Sequence, residues 1–262
     1  MFKNYLSCWA SKPLEDITTA MVTKYHGSII ESKKKRTANQ VFILLQSLYN
    51  YAQIDNEDLK NPVHILSKKK LWAANVRRDT YIKESELSTW YDSVMRLNNH
   101  TFRDAMLVFL YTGMRRNEVF KLKWEYIDFN EKVLRVPVTK NKKALILPLN
   151  SYLYDILLRR KEYAGVSEWV FAGNGKSGHV TEPKFVLKLI EKDCGIKFIV
   201  HDLRRTFLTI GNGMDVSSYS LKQLVNHSMS SDVTAGYIIS NVDKLREVSE
   251  RIGEKIWNLT QG

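Results

Sequence analysis

A mainly α-helical chain with a small antiparallel β-sheet, divided into two domains, is what this sequence of 262 residues predicts. Three observations carry that expectation. Apolar residues recur at three- and four-residue spacing over most of the length, the mark of helices with one buried face. Two strand-like runs, VLRVPV and ALILPL, flank the short polar segment TKNKK, which reads as a hairpin. Between residues 67 and 80 the periodicity lapses into SKKKLWAANVRRDT, a basic stretch that reads as a linker. A chain of this length can bury at least one sizeable core and has room for two.

Along the chain, Leu14, Ile17, Met21, Tyr25 and Ile29 form a first helical stripe behind Pro13, and Val41, Leu44, Leu45, Leu48 and Ala52 form a second. Each stripe needs a partner surface, so residues 1–66 are expected to make a small all-helical domain. The larger domain, 81–262, opens with Leu87, Trp90, Tyr91 and Val94 on one helical face. FRDAMLVFLYTG is apolar nearly all round and suits a buried helix ending at Thr112-Gly113, with a restart at RRNEVFKLKW. After the hairpin, helices are expected at 151–162, 182–193, 202–211, 218–226 and 242–259. An earlier strand is placed at YIDF.

Charge narrows the partner. Forty Lys and Arg against 28 Asp and Glu give +12, spread along the chain, which favours a polyanion such as nucleic acid. Cys8 and Cys194 carry no CxxC or Cys/His zinc spacing, so free thiols in a reducing cytosol are expected. MFKNYLSCWASK lacks the apolar core of a secretory signal, and no run approaches a membrane span. GNGKS at 173–177 would need glycine at position 170 to be a phosphate loop, and Val170 stands there. DNED at 55–58 lacks the glycine and distal glutamate of a calcium loop. Neither a cofactor nor a metal is expected.

The residues that carry chemistry are Arg115 in YTGMRRNE, His201 and Arg204 in HDLRR, His227 in VNHS and Tyr237 in AGYI. Two arginines can grip the non-bridging oxygens of a phosphodiester, imidazoles can move protons near neutral pH, and a tyrosine hydroxyl can attack phosphorus. Arg115 follows a helix break, where the backbone N–H groups of a new helix would also favour an anion, and Glu118 one turn on could fix its guanidinium. His201 and Arg204 share a helical face. In the hairpin, Lys140, Lys142 and Lys143 could each act as a proton donor, and Lys140 is the one nearest the sheet. Each feature alone has a plainer reading: an exposed ion pair, a solvated lysine run, a packed tyrosine among thirteen.

Taken together and in this order, the boxes resemble the tyrosine recombinases, the family that includes phage integrases. YTGMRRNEVFKLKWEYIDF is similar to the family's first arginine box, VTKNKKALILPL to its lysine hairpin, HDLRRTF to its H-x-x-R box and LVNHSMSSDVTAGYI to its final histidine and tyrosine segment. The match spans nearly the whole chain. It departs at Asn226, where the family most often has glycine, and at Tyr237, which follows His227 by ten residues rather than nine.

The resemblance implies a helical core-binding domain at 1–66 that closes on duplex DNA with an α+β catalytic domain at 81–262. It implies Arg115 and Arg204 as phosphate clamps, Lys140 as proton donor to the 5′ oxygen, and His201 as proton acceptor for the tyrosine or its assistant. His227 becomes a hydrogen-bond donor to the phosphate and Tyr237 the nucleophile. The expected function is site-specific recombination through a 3′-phosphotyrosyl intermediate, for integration or excision of a phage or other mobile element. A non-catalytic DNA-binding protein of the same fold and a type IB topoisomerase are the alternatives. Double-stranded DNA sites, a tetramer on DNA and accessory bending or directionality proteins are the implied partners, in the cytoplasm and away from membranes. The apolar stripe Val242, Leu245, Val248, Ile252, Ile256 and Leu259 is expected to dock on a neighbouring protomer, as such segments do in that family.

Overall fold

The computed structural model describes residues 1–32, 34–74, 78–137, 144–226 and 242–262. It divides into two compact units, Met1–Arg78 and Asp79–Gly262.

In the first unit, α1 (Phe2–Tyr5), α2 (Thr19–Glu31), α3 (Lys35–Ala52) and α4 (His64–Lys68) enclose their own core. Helix α2 starts where the Thr18 hydroxyl accepts the Met21 N–H at 3.2 Å, an N-cap that satisfies an otherwise orphaned donor. That start shifts the buried face from the predicted one. Val22, His26 and Ile29 turn inward, Met21 and Tyr25 are only half-buried, and Leu14 and Ile17 precede the helix. On α3 the inward face is Ala38, Val41, Phe42, Leu45 and Tyr49, and Leu48 is exposed. Two aromatics therefore do the filling that the leucine pattern assigned to Leu44 and Leu48.

The Asn39 side chain helps to hold the stretch after α4 to this unit, beside the packing of Trp72 on its core. Asn39 donates through Nδ2 to the Ala73 carbonyl at 2.8 Å and accepts the Ala73 N–H through Oδ1 at 3.1 Å. Its amide thus pairs with a peptide group as a neighbouring strand would. His26 shares the Asn39 oxygen at 3.3 Å between the rings of Phe42 and Trp72, and burial holds its pKa below the ordinary histidine value.

The second unit runs through α5 (Glu84–Met95), α6 (His100–Thr112), α7 (Arg116–Phe120), β1 (Ile127–Asp128), β2 (Val133–Val136) and β3 (Leu145–Pro148). It continues with α8 (Ser151–Glu162), α9 (Lys184–Cys194), α10 (Val200–Asn212), α11 (Ser218–Leu224) and α12 (Val242–Gln261). Helix α6 is its axis. Every residue from Asp104 to Thr112 is buried, and α10, α8, α7 and α5 pack around it, as the all-round apolar pattern requires. The strands form an antiparallel sheet in the order β1-β2-β3, with Leu134 opposite Leu147 and Val136 opposite Leu145 facing the core. Arg135 and Ile146, paired on the other face, are exposed.

The C-terminal helix corrects one expectation. The stripe meant for a neighbouring protomer is spent on its own unit: Leu245, Ile252 and Ile256 are buried in the core, with Val248 and Leu259 packed against it. The approach is close. A Cβ on Gly253 would lie 3.0 Å from the Asn150 side chain, and Asn150 Nδ2 donates to Ser249 Oγ at 3.3 Å. Sequence periodicity shows that a helix face needs cover, and here the nearest cover is α5, α8 and β3.

Candidate active site around the Gly113 turn

Helix α6 ends in a left-handed residue, Gly113 at φ 60°. The Thr112 hydroxyl donates to the Val108 carbonyl and accepts the Met114 N–H at 3.1 Å, so the chain leaves the helix along a fixed path. Glycine is required twice over, by the backbone angle and by space: an added Cβ would meet Phe207 at 2.9 Å and Val225 at 3.0 Å. The turn delivers Arg115, the residue before α7.

Arg115 is tied on two sides. Its Nη1 meets Glu118 Oε1 at 3.0 Å and its Nη2 donates to the Asn226 carbonyl at 3.0 Å. The Glu118 pairing is the one predicted. The backbone support predicted with it takes another form, because α7 is short and the Arg115 N–H donates to Glu118 Oε2 at 2.8 Å. A carboxylate of the chain already occupies that donor, so the capacity to hold an anion lies in side chains rather than in a helix dipole.

Helix α10 brings His201 and Arg204. Its start is fixed by Asp202, which accepts the Ile199 N–H through Oδ2 at 3.0 Å and pairs with Arg205 through Oδ1 at 2.9 Å. The Thr80 hydroxyl donates to the same Oδ1 at 3.1 Å. Ile82 N–H donates to Thr206 Oγ1 at 2.9 Å, so the first residues of the second unit are bonded to the helix that carries the site. Arg204 is buried and donates through Nη1 to the Gly113 carbonyl at 2.7 Å. Burial, and next to it the charge of Arg115, pull its pKa down to about 10, with Glu118 opposing. It keeps its charge at neutral pH, and it keeps it beside a second cation. His201, at the exposed start of α10, is held below the ordinary histidine value by loss of water, then by Arg205 and Arg204. The ring is thus set to be neutral near pH 7 and able to accept a proton.

The structure brings Arg115, His201 and Arg204 to one place, each within the electrostatic reach of the others. Lys140, His227 and Tyr237 lie outside the described residues. The last described residue before His227 is Asn226, whose carbonyl Arg115 holds.

Three contributors escaped the sequence reading: the Gly113 carbonyl, the Asn226 carbonyl and Asp202. The first two are backbone groups, which no side-chain pattern reveals. Asp202 had a signal, an acidic residue in the first turn of a helix, where it caps the free N–H groups. Beside Arg115 an open groove of about 640 Å³ is lined by Arg116, Lys121, Lys123, Tyr126 and Trp169 among others. Lys123 lies 5.0 Å from the Trp169 ring centre and 2.7 Å from Glu168. Among the described residues no group of three or more His, Cys, Asp or Glu could hold a metal ion, and no helix is long and apolar enough to cross a membrane.

Residues 81–243 match the family model described as the phage integrase family. The prophage integrase IntF of Escherichia coli K12 is 25% identical over 258 residues, covering 94% of this chain and 54% of its own length. The shufflon-specific DNA recombinase of Escherichia coli is 23% identical over 257 residues, with coverage of 93% and 65%. A tyrosine recombinase of Pseudothermotoga lettingae is 24% identical over 251 residues, with coverage of 92% and 85%. The chain therefore spans between about half and two thirds of the first two relatives. In fold it is similar to the Tn1549 transposon integrase in complex with circular intermediate DNA, at TM-score 0.69 and 16% identity, covering 90% of this chain and 86% of that one. It is also similar to a lambda integrase tetramer bound to a Holliday junction, at TM-score 0.68 and 20% identity, covering 88% and 72%.

Proposed function

The chain belongs to the phage integrase family, and from that premise we propose that it is a site-specific DNA recombinase that cleaves and rejoins DNA through a 3′-phosphotyrosyl intermediate. The observation that carries the reading is the meeting of Arg115 and Arg204 at the Gly113 turn, with the Asn226 carbonyl leading straight into His227.

Two cations held side by side in a partly dry site repel each other. A phosphodiester between them relieves that repulsion and supplies acceptors for their free N–H groups. In the reaction, Tyr237 Oη attacks phosphorus in line with the 5′ oxygen. A P–O bond to tyrosine forms as the P–O5′ bond breaks. His201 takes the tyrosine proton and Lys140 supplies one to the departing oxygen. Arg115, Arg204 and His227 stabilise the charge on the equatorial oxygens, each contributing on the order of 3 kcal/mol. The phosphotyrosyl ester conserves the bond energy, so a new 5′ hydroxyl can reverse the step without ATP.

In this reading the first unit serves as the core-binding domain and the stretch joining the units as a basic linker along the duplex. Its partners are double-stranded recombination sites, a tetramer of the chain on DNA, and accessory proteins that bend DNA or set direction. The reaction takes place in the cytoplasm, on the DNA of a phage or other mobile element.

The test is a duplex nicked just 3′ of the scissile phosphate, so that the cleaved fragment diffuses away. The wild-type chain should accumulate a covalent adduct, and Tyr237→Phe should bind the same DNA without one. An adduct that persists in Tyr237→Phe would move the nucleophile elsewhere. DNA binding with no adduct from wild type would make the chain a binding protein, and relaxation of plasmid by a monomer would make it a topoisomerase. Sequencing the trapped DNA then gives the target site.

A further inference from the structure

Both clamp arginines spend a guanidinium N–H on the carbonyl of a left-handed residue. Arg204 donates to Gly113, at φ 60°, and Arg115 to Asn226, at φ 48°. The two junctions touch, because a Cβ on Gly113 would come within 3.0 Å of Val225, the neighbour of Asn226. Asn226 sits just past the C-cap of α11, and its N–H donates to the Gln223 carbonyl at 3.0 Å. At that position a left-handed residue reverses the chain and turns its carbonyl away from the helix axis. Glycine does this at no steric cost, asparagine at a small one and a β-branched residue at a large one. Lys70, Lys132 and Asn226 are the non-glycine residues with positive φ among the described ones. Asn226 is the one whose carbonyl holds a proposed catalytic side chain.

Resting on the recombinase reading, we propose that Asn226 is a positioning residue. Its left-handed backbone presents the carbonyl that, opposite Glu118, fixes the Arg115 guanidinium for the scissile phosphate. Arg115 is then gripped between α7 and Asn226, the residue preceding His227. The departure from the family's usual glycine becomes intelligible. Asparagine tolerates the same backbone region and narrows the alternatives open to the unfolded chain.

The experiment compares Asn226→Gly, Asn226→Ala and Asn226→Val in the full chain. Side-chain 15N NMR, with Arg115 assigned through Arg115→Lys, reports whether the guanidinium is restrained. Single-turnover cleavage of the nicked duplex at saturating DNA reports the chemistry. Wild type and Asn226→Gly should show a restrained Arg115 signal and similar rates. Asn226→Ala should be slower by a few-fold and Asn226→Val by about tenfold, with the restrained signal lost, DNA affinity unchanged, and no further slowing once Arg115 is already alanine. A restrained Arg115 in Asn226→Val would overturn the proposal. So would equal slowing by that substitution with and without Arg115. The NMR arm needs no chemistry: if wild type forms no adduct the recombinase reading fails, and the Arg115 signal still decides the positioning role.

Discussion

Arg160 and Arg204 are both buried, at 7% and 5% exposure, in the same unit of the molecule, and they are buried for opposite ends. Arg160 has a partner from the chain on each of its three nitrogens. Its Nε donates to the Val170 carbonyl at 2.6 Å, its Nη1 to Asp104 Oδ2 at 3.1 Å and the His100 carbonyl at 3.3 Å, and its Nη2 to Thr101 Oγ1 at 2.9 Å. The guanidinium also lies 4.9 Å from the Phe171 ring centre. Burial lowers its pKa and the Asp104 carboxylate raises it again. Arg204, among the described residues, has one hydrogen bond, to Gly113. No carboxylate of the described residues pairs with it, and the charge that most affects it is the like charge of Arg115. On the proposed function, the difference separates an arginine that holds a fold together from one that receives an anion. A buried charge whose partners are all supplied by the chain is structural, and one left short beside a second cation is a receptor.

That contrast is best broken by removing each in turn. Arg204→Ala should lower the single-turnover cleavage rate roughly a hundredfold to a thousandfold. It should shift the melting temperature by no more than about 3 °C, because a charge that costs desolvation is lost along with one hydrogen bond. Arg160→Ala should do the reverse. Leaving Asp104 with Arg103 alone and stranding two carbonyls should cost about 3 kcal/mol, a fall on the order of 10 °C, with cleavage per folded molecule unchanged. Scanning calorimetry beside a cleavage time course separates the two, and a large melting shift in Arg204→Ala would collapse the distinction.

Gly113 joins the two categories, since it is both the end of α6 and the partner of Arg204. Gly113→Ala should cost roughly 2 kcal/mol through its backbone angle and the Phe207 contact, and should slow cleavage as well. Denaturant unfolding measures the first and the nicked duplex the second. Loss of stability with a normal rate would show that the Gly113 carbonyl does not orient Arg204.

His201 gives the smallest effect. Its folded pKa lies below the ordinary value, so between that pKa and 6.5 the unfolded chain binds the proton more readily than the folded one. Its contribution to stability is therefore present above that window and lost as pH falls through it. NMR titration of the imidazole should give a midpoint below 6.5 in the free protein and a higher one with DNA bound, when phosphate offsets the neighbouring arginines. A midpoint unmoved by DNA would place His201 away from the phosphate.

Much of this was legible in the sequence, for identifiable reasons. Helix α6 announces itself because it is buried all round, and Gly113 because a left-handed exit selects glycine. Arg115, His201 and Arg204 stand out because the boxes around them keep their order. The phase of α2 was misread because Leu14 and Ile17 extend its apolar rhythm beyond the Thr18 cap, and a rhythm does not show where a helix begins. The stripe on α12 was correct and its partner was not, since amphipathicity states that a face must be covered and leaves open by what. The Ala73 tether and the Asn226 carbonyl were illegible, because both depend on backbone groups far apart in sequence.

On the proposed function, Arg204 is held short of partners to receive the charge of a phosphate. A duplex in which the scissile phosphate is replaced by an uncharged methylphosphonate tests it directly. On that substrate Arg204→Ala should cleave at a rate close to wild type, since the charge to be balanced has gone. If Arg204→Ala is as deficient on the neutral linkage as on the natural one, its guanidinium supports the structure rather than the phosphate, and the contrast with Arg160 fails.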